Sequence, residues 1–185
     1  QAPSSRSSPP APGGGPGRPP RGGCRRASPQ PADARDPRFS AFFLYWQSKA
    51  PPGRLPGRQH IDPLEIPRLL PHIALYDVVR REDDFRFRFR LVGTGVADAL
   101  GADNTGRFID EIMPAEAYPP LHATYSQLVR QHTPQYWQRN LPFANRDFLA
   151  VQRLALPLAA DGSTVDMIMT YYVPILRDDI VRRPS

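Results

Sequence analysis

Cysteine is nearly missing: Cys24 is the only one in 185 residues. No disulfide can close within the chain, no thiolate cluster can hold a metal, and no cysteine adduct can fix a cofactor in the part that folds. Also missing is any apolar run of about 18 residues, which excludes a helical membrane span, and the start lacks the apolar core of a signal peptide. There is no Gly-x-Ser-x-Gly elbow, phosphate-binding loop or catalytic cysteine. The four histidines, His60, His72, His122 and His132, have no second histidine or carboxylate at helical ligand spacing, which leaves a metal site without support. Together these absences predict a soluble, cytoplasmic protein without a catalytic or metal centre.

Residues 1–35 lack Leu, Ile, Val and Phe altogether, and they hold nine of the 24 prolines and six of the 13 glycines. Such a segment cannot bury enough apolar surface to offset the entropy of folding, so residues 1–36 are expected to be a disordered tail. The tail has six Arg and one Asp, whereas the other 150 residues have 18 basic and 17 acidic side chains, so +5 and +1 make up the net +6. A basic arm can bind nucleic acid or an anionic membrane, but a linker is the simpler reading, and neither partner is expected. The chain begins at Gln1 rather than Met, consistent with residues removed before it.

What is present is most legible between Phe85 and Arg107. Phe85, Phe87, Phe89 and Leu91 alternate with Arg86, Arg88 and Arg90, the period-two pattern of a strand with one buried face. Gly93-Thr94-Gly95 breaks it, Thr94 is placed to cap a short helix through Val96, Ala97 and Leu100, and Gly101 ends that helix before a turn at Asn104-Thr105-Gly106. Upstream, Phe39, Phe42, Phe43 and Trp46 share a helical face that Leu44 and Tyr45 widen, and Pro51 ends the helix. A helix apolar over so much of its circumference needs cover on two sides, so those four residues are the expected interface of a homodimer.

A connector follows, then a short helix Leu64 to Leu70 capped by Asp62, and a central strand Ile73 to Val79. Glu82-Asp83-Asp84 turns the chain into the opening strand. After Arg107 come one helical turn, Phe108 to Ile112, and a longer helix from Pro119 in which Leu121, Tyr125, Leu128 and His132 align. Strands over 135–141, 148–159 and 165–175 complete the order, with turns at Ala144-Asn145-Arg146 and Asp161-Gly162-Ser163. Two strands, a helical block and three more strands predict an α+β domain with an antiparallel sheet covered by helices on one face. The chain divides into the tail, a helix and connector over 37–71, the domain over 72–176, and a C-terminal tail over 177–185.

This order, with the corner Asp103-Asn104-Thr105-Gly106-Arg107, resembles a PAS domain over about Ile73 to Ile175. Flanking motifs, Tyr45-Trp46, Leu55-Pro56-Gly57-Arg58, Ile61-Asp62-Pro63, Leu69-Leu70-Pro71 and Arg90-Leu91-Val92-Gly93-Thr94, are similar to a family of stand-alone PAS-like proteins common in alphaproteobacteria. The resemblance implies a five-stranded antiparallel sheet with helices on one face, an N-terminal flanking helix that dimerises, and a small cavity. It also implies a non-enzymatic sensory or regulatory module that binds a small molecule and signals through a protein partner. PAS domains bind haem, flavin, small acids or nothing, so the cofactor stays unknown.

Candidate ligand-binding residues are Phe87, Phe89, His122, Tyr125, Leu128 and Trp137, with Met167 beside them; the plain alternative is that they fill the core. In a haem-binding PAS domain the ligating histidine comes from the long helix, which singles out His122, although a hydrogen-bonded structural histidine is the better reading. Arg86, Arg88 and Arg90, with Arg153 possible as a fourth, form a basic row expected to pair with Asp77 or Glu82. Asp98 occupies the third glycine position of a dinucleotide-binding turn and argues against one at Gly93-Thr94-Gly95. Asp110-Glu111 and Asp178-Asp179 read as caps or solubilising pairs. Two alternatives stay open: a small α+β enzyme of isomerase or hydratase type with a buried His-Asp site, and a structural adaptor with a full core.

Overall fold

Asp36 and Pro37 start the first helix, α1 (Pro37–Ser48): the Asp36 carboxylate accepts from the Arg38 N–H at 2.9 Å, and proline presets the first helical turn. The computed structural model describes residues 36–142 and 149–176. The tails at 1–35 and 177–185, with Cys24 and Asp178-Asp179, and the turn at 144–146 lie outside the described residues.

After α1 the connector forms three short 3-10 turns, Arg58–His60, Pro63–Glu65 and Leu70–His72, rather than the helix expected from Leu64 to Leu70. Pro67 is the reason. It carries no N–H and crowds Ile66 out of the helical region, to φ −128° and ψ 41°. The strands and helices that follow are β1 (Ile73–Arg81), β2 (Asp84–Val92), α2 (Thr94–Leu100), α3 (Ile109–Ile112), α4 (Tyr118–Gln131), β3 (Gln135–Asn140), β4 (Leu149–Leu158) and β5 (Met167–Leu176). They build one sheet in the order β2-β1-β5-β4-β3, antiparallel at every pairing. The α+β class and the five-stranded antiparallel sheet expected from the sequence are those observed.

Details differ where local chemistry intervenes. Gly93 rather than Thr94 is the N-cap of α2, and no side chain caps it. His132 ends α4 in the left-handed region at φ 57° and is exposed, so it does not extend that helix's apolar face. In β2 the pairing jumps from Leu75 opposite Leu91 to Tyr76 opposite Phe89, which leaves Arg90 as a bulge. The bulge reverses the parity of the strand's end. Val92 therefore joins Phe87 and Phe89 on the helix side, while Leu91 is turned out and 44% exposed.

The sheet is buried on both faces, by alternate residues of the same strands. Ala74, Tyr76, Val151, Ala155, Ile168 and Tyr172 point toward α2, α3 and α4. Ile73, Leu75, Leu154, Leu156, Met169 and Tyr171 point toward α1 and the connector. The N-terminal helix thus does more than flank the domain: Phe39, Phe42 and Trp46, the residues expected at a seam between copies, are buried against the chain's own sheet. The Trp46 indole N–H donates to the Pro157 carbonyl at 2.9 Å, and the Tyr45 hydroxyl both donates to and accepts from the Asp62 backbone. Phe43 packs on Trp46 and is only partly buried, and Leu44 faces outward at 60% exposure.

Candidate ligand site

Register on the helix side of the sheet sets three side chains in a row. Arg153 on β4 lies opposite Trp137 on β3 and Tyr172 on β5. Its guanidinium carbon stands 4.7 Å from the centre of the Tyr172 ring and 6.0 Å from that of Trp137. The Tyr172 hydroxyl is in a short hydrogen bond with that of Tyr76, and the Tyr125 hydroxyl lies 3.4 Å from Thr170 Oγ1. Tyr125 touches Tyr76, Phe87 and Trp137 edge-on or tilted, which completes an aromatic layer behind the arginine.

The arginine is the anomaly. It is only 7% exposed, a guanidinium does not lose its proton inside a protein, and no ion pair among the described residues includes it. Its Nε and the Trp137 Nε1 are both buried without an acceptor. Tyr76 and Tyr125 do not supply a counter-charge, because burial pushes both well above the ordinary tyrosine range and keeps them neutral. Ring contacts offset about 0.5–2 kcal/mol, whereas taking a lone charge out of water costs several. The balance is against burial unless the site has another purpose.

Next to Arg153 a cavity opens toward the helices. Tyr76, Phe89, Arg153 and Tyr172 form its sheet side, and Leu100, Ile109, Ile112, Met113 and Leu121 from α2, α3, α4 and the α3 exit form the opposite wall. The free volume is about 10 Å³, which is roughly what one water needs. This wall is held by the corner at 104–107: Gly106 N–H donates to Phe89 O at 2.7 Å, Phe89 N–H donates to Arg107 O at 2.9 Å, and Phe108 bridges to Arg88.

Of the residues singled out from the sequence, Phe89 lines the cavity. Tyr125 and Trp137 support its polar end, Phe87 and Leu128 are fully enclosed in the same core, and Met167 faces the α1 side. His122 does not line the cavity: its Nε2 lies 3.0 Å from the Phe85 carbonyl oxygen and 3.2 Å from Asp84, a carboxylate 61% exposed. This His-Asp pair lies toward the surface. Among the described residues no three of His, Cys, Asp and Glu converge as metal ligands, and no helix is long and apolar enough to cross a membrane.

The basic row is paired. Arg88 and Arg90 meet Asp77 at 2.8 and 3.5 Å, while Arg86 meets Asp110 and Glu111 at 2.8 and 3.3 Å and lies over the Phe108 ring. Arg153 is not part of it; the expected fourth member is inside. Glu111 also caps α3 through the Phe108 N–H at 3.1 Å. Gly93 is explained by packing alone: a Cβ there would stand 2.4 and 2.5 Å from the Leu70 and Pro71 carbonyl oxygens.

Sequence reasoning missed Arg153, Tyr76, Tyr172 and the Leu100, Ile109, Ile112, Met113 wall. A signal existed for the first. In Val151-Gln152-Arg153-Leu154-Ala155-Leu156 both parities are apolar around one arginine, the mark of a strand buried on two faces with a charge inside it.

A profile of the PAS domain family matches residues 35–173. Among solved structures, a sensory box sensor histidine kinase from Vibrio cholerae is 16% identical, with a TM-score of 0.40 over 60% of this chain and 87% of that one. The PAS domain of Bordetella pertussis BvgS is 19% identical, with a TM-score of 0.36 over 65% of this chain and 92% of that one. No curated protein sequence matches. The family match takes in α1, the connector, all three later helices and the sheet into β5. The chain belongs to the PAS domain family.

Proposed function

We propose that this chain is a non-enzymatic sensory or regulatory module in signal transduction, which takes a small ligand into the cavity on the helix side of its sheet. A single observation supports this most: a buried arginine, in no ion pair among the described residues, lines a cavity whose other lining residues are uncharged and, apart from the Tyr76 and Tyr172 hydroxyls, apolar. Phe89 would touch the ligand, and Tyr125 and Trp137 would hold Arg153 in place from behind. The opposite wall rests on the two shortest helices, of seven and four residues, so occupancy would move them first. The bound state would then pass to a protein partner. If α1 also joins two copies in the cytoplasmic protein, it would do so through Phe43 and Leu44, the apolar residues it leaves outward.

Native mass spectrometry of freshly purified protein tests the ligand. The expected result is a mass above the denatured one, with the excess lost in Leu121→Phe, whose added volume takes up the about 10 Å³ of free space, provided circular dichroism shows the variant folded. Equal native and denatured masses, together with no thermal shift across a panel of small metabolites, would overturn it. The free volume of only about 10 Å³ favours a second reading in that event, an adaptor whose core is full.

A further inference from the structure

Arg153 lines the cavity on the helix side of the sheet, is in no ion pair among the described residues, and has a buried Nε without an acceptor. A guanidinium stays charged and can only donate. Tyr76 and Tyr172, the other polar residues of the lining, bond each other through one hydroxyl hydrogen, which leaves the pair a second to donate. No carboxylate of the described residues lines the cavity, and burial keeps the Tyr76 phenol neutral. Every polar group here therefore calls for an acceptor, and the guanidinium calls for one that carries a negative charge.

Size decides among the anions. The free volume is about 10 Å³, the room of a single water molecule, so carboxylates, sulfate and phosphate, each with several heavy atoms, are too large. Water itself fits and accepts hydrogen bonds, but it leaves the buried charge uncompensated. A monatomic anion meets both demands. Chloride is close to water in size, and it gives up its hydration shell at a smaller cost than fluoride or hydroxide. The apolar lining, which includes Leu100, Ile109, Ile112 and Leu121, brings no competing charge, and Met113 is a side chain that adapts to a slightly larger occupant. Resting on the reading of this cavity as a small-ligand site, we propose that it is a halide site, in which one chloride ion held by Arg153 and the Tyr76–Tyr172 hydroxyl pair is the counter-ion of the buried guanidinium. The folded chain then takes up one chloride that the unfolded chain releases, and stability depends on chloride concentration.

The test uses the full-length protein at constant ionic strength, with sodium chloride exchanged for sodium gluconate. Raising chloride from about 1 to about 300 mM should raise the melting temperature by at least about 3 °C, with the concentration dependence of one ion per chain. Bromide should act as chloride does, and acetate as gluconate does. In protein labelled with nitrogen-15, chloride should move the Arg153 Nε–H resonance saturably and leave in place the Trp46 indole, which donates to Pro157 O on the other face of the sheet. Arg153→Met should abolish the chloride dependence. Leu121→Phe, which keeps the arginine and takes up the free space, should abolish it too, with circular dichroism to establish that both variants fold. A chloride response kept in either folded variant would place the ion outside this cavity and overturn the proposal, as would equal action of acetate and chloride. A thermal shift with a small metabolite in wild-type protein indifferent to chloride would overturn this inference alone. Indifference to chloride and to every metabolite, with equal native and denatured masses, would overturn the small-ligand reading with it.

Discussion

The two faces of the sheet are made by the same strands and are built on different principles. On the α1 side, Leu154, Leu156, Met169 and Val173 meet Phe39, Phe42 and Trp46, and almost every contact is hydrocarbon or ring. On the helix side the intervening residues of β4 and β5 include Arg153, Thr170 and Tyr172, and the packing leaves a gap. A one-residue step along β4 separates a face that stabilises the fold from a face that holds an uncompensated charge. Stability and the candidate site are therefore expected to change largely independently, because the two faces form separate clusters, with Leu55 packed against both.

The largest expected effect is on the α1 face. Trp46→Ala removes a buried indole and its bond to Pro157, and should cost about 3–5 kcal/mol in urea unfolding. Any ligand mass retained by protein that remains folded should be unchanged. A loss of less than about 1 kcal/mol would mean that α1 is not part of the core. On the opposite face the sign reverses: Arg153→Met should raise the stability of ligand-free protein by roughly 1–4 kcal/mol, since it replaces a lone buried charge with a side chain of similar length. Destabilisation would show that Arg153 is a structural element and would erase the contrast.

Two smaller changes probe the end of the sheet where the faces meet. Gly93→Ala would press a methyl group on the Leu70 and Pro71 carbonyls, both backbone, and should cost about 1–3 kcal/mol by the same measurement. His72 in the adjoining turn has its pKa lowered by burial and by nearby Arg38. The unfolded chain then binds its proton more readily, so this contribution is complete above pH 6.5, the unperturbed value, and is lost as pH falls through the lower folded value. Thermal melts from pH 8 to 5 should fall less steeply in His72→Phe than in wild type. Identical slopes would remove the histidine from the acid response.

How far the sequence could be read follows from the range of the interactions involved. The strand at Phe85 to Phe89 and the apolar face of the first helix depend on residues within a few positions of one another, and they were legible. The bulge at Arg90 was not, because it is defined by the partner strand, and it turned Leu91 outward against its own pattern. Phe39, Phe42 and Trp46 were recognised as buried, but periodicity cannot say whether the cover is the same chain or another. The cavity wall was hidden for a similar reason: Leu100, Ile109, Ile112 and Met113 come from separate short elements that only the corner at 104–107 brings together. Arg153 was visible as a residue type and misplaced as a surface charge, because it was grouped with the exposed arginines of β2 although the apolar residues on both parities around it marked a strand buried on two faces.

The pairing of β1 with β5 has a consequence for how the chain comes into being. Ile73 lies against Tyr171, and Phe39 rests on the same tyrosine, so the helix made first depends on the strand made last. During synthesis α1 and β1 emerge about a hundred residues before β5, which at about 5–20 residues per second leaves the surfaces β5 will cover open for about 5–20 s. The nascent chain therefore passes through an interval in which Phe39, Phe42 and Trp46 are available to chaperones or to aggregation, and a pause placed before β4 would lengthen it.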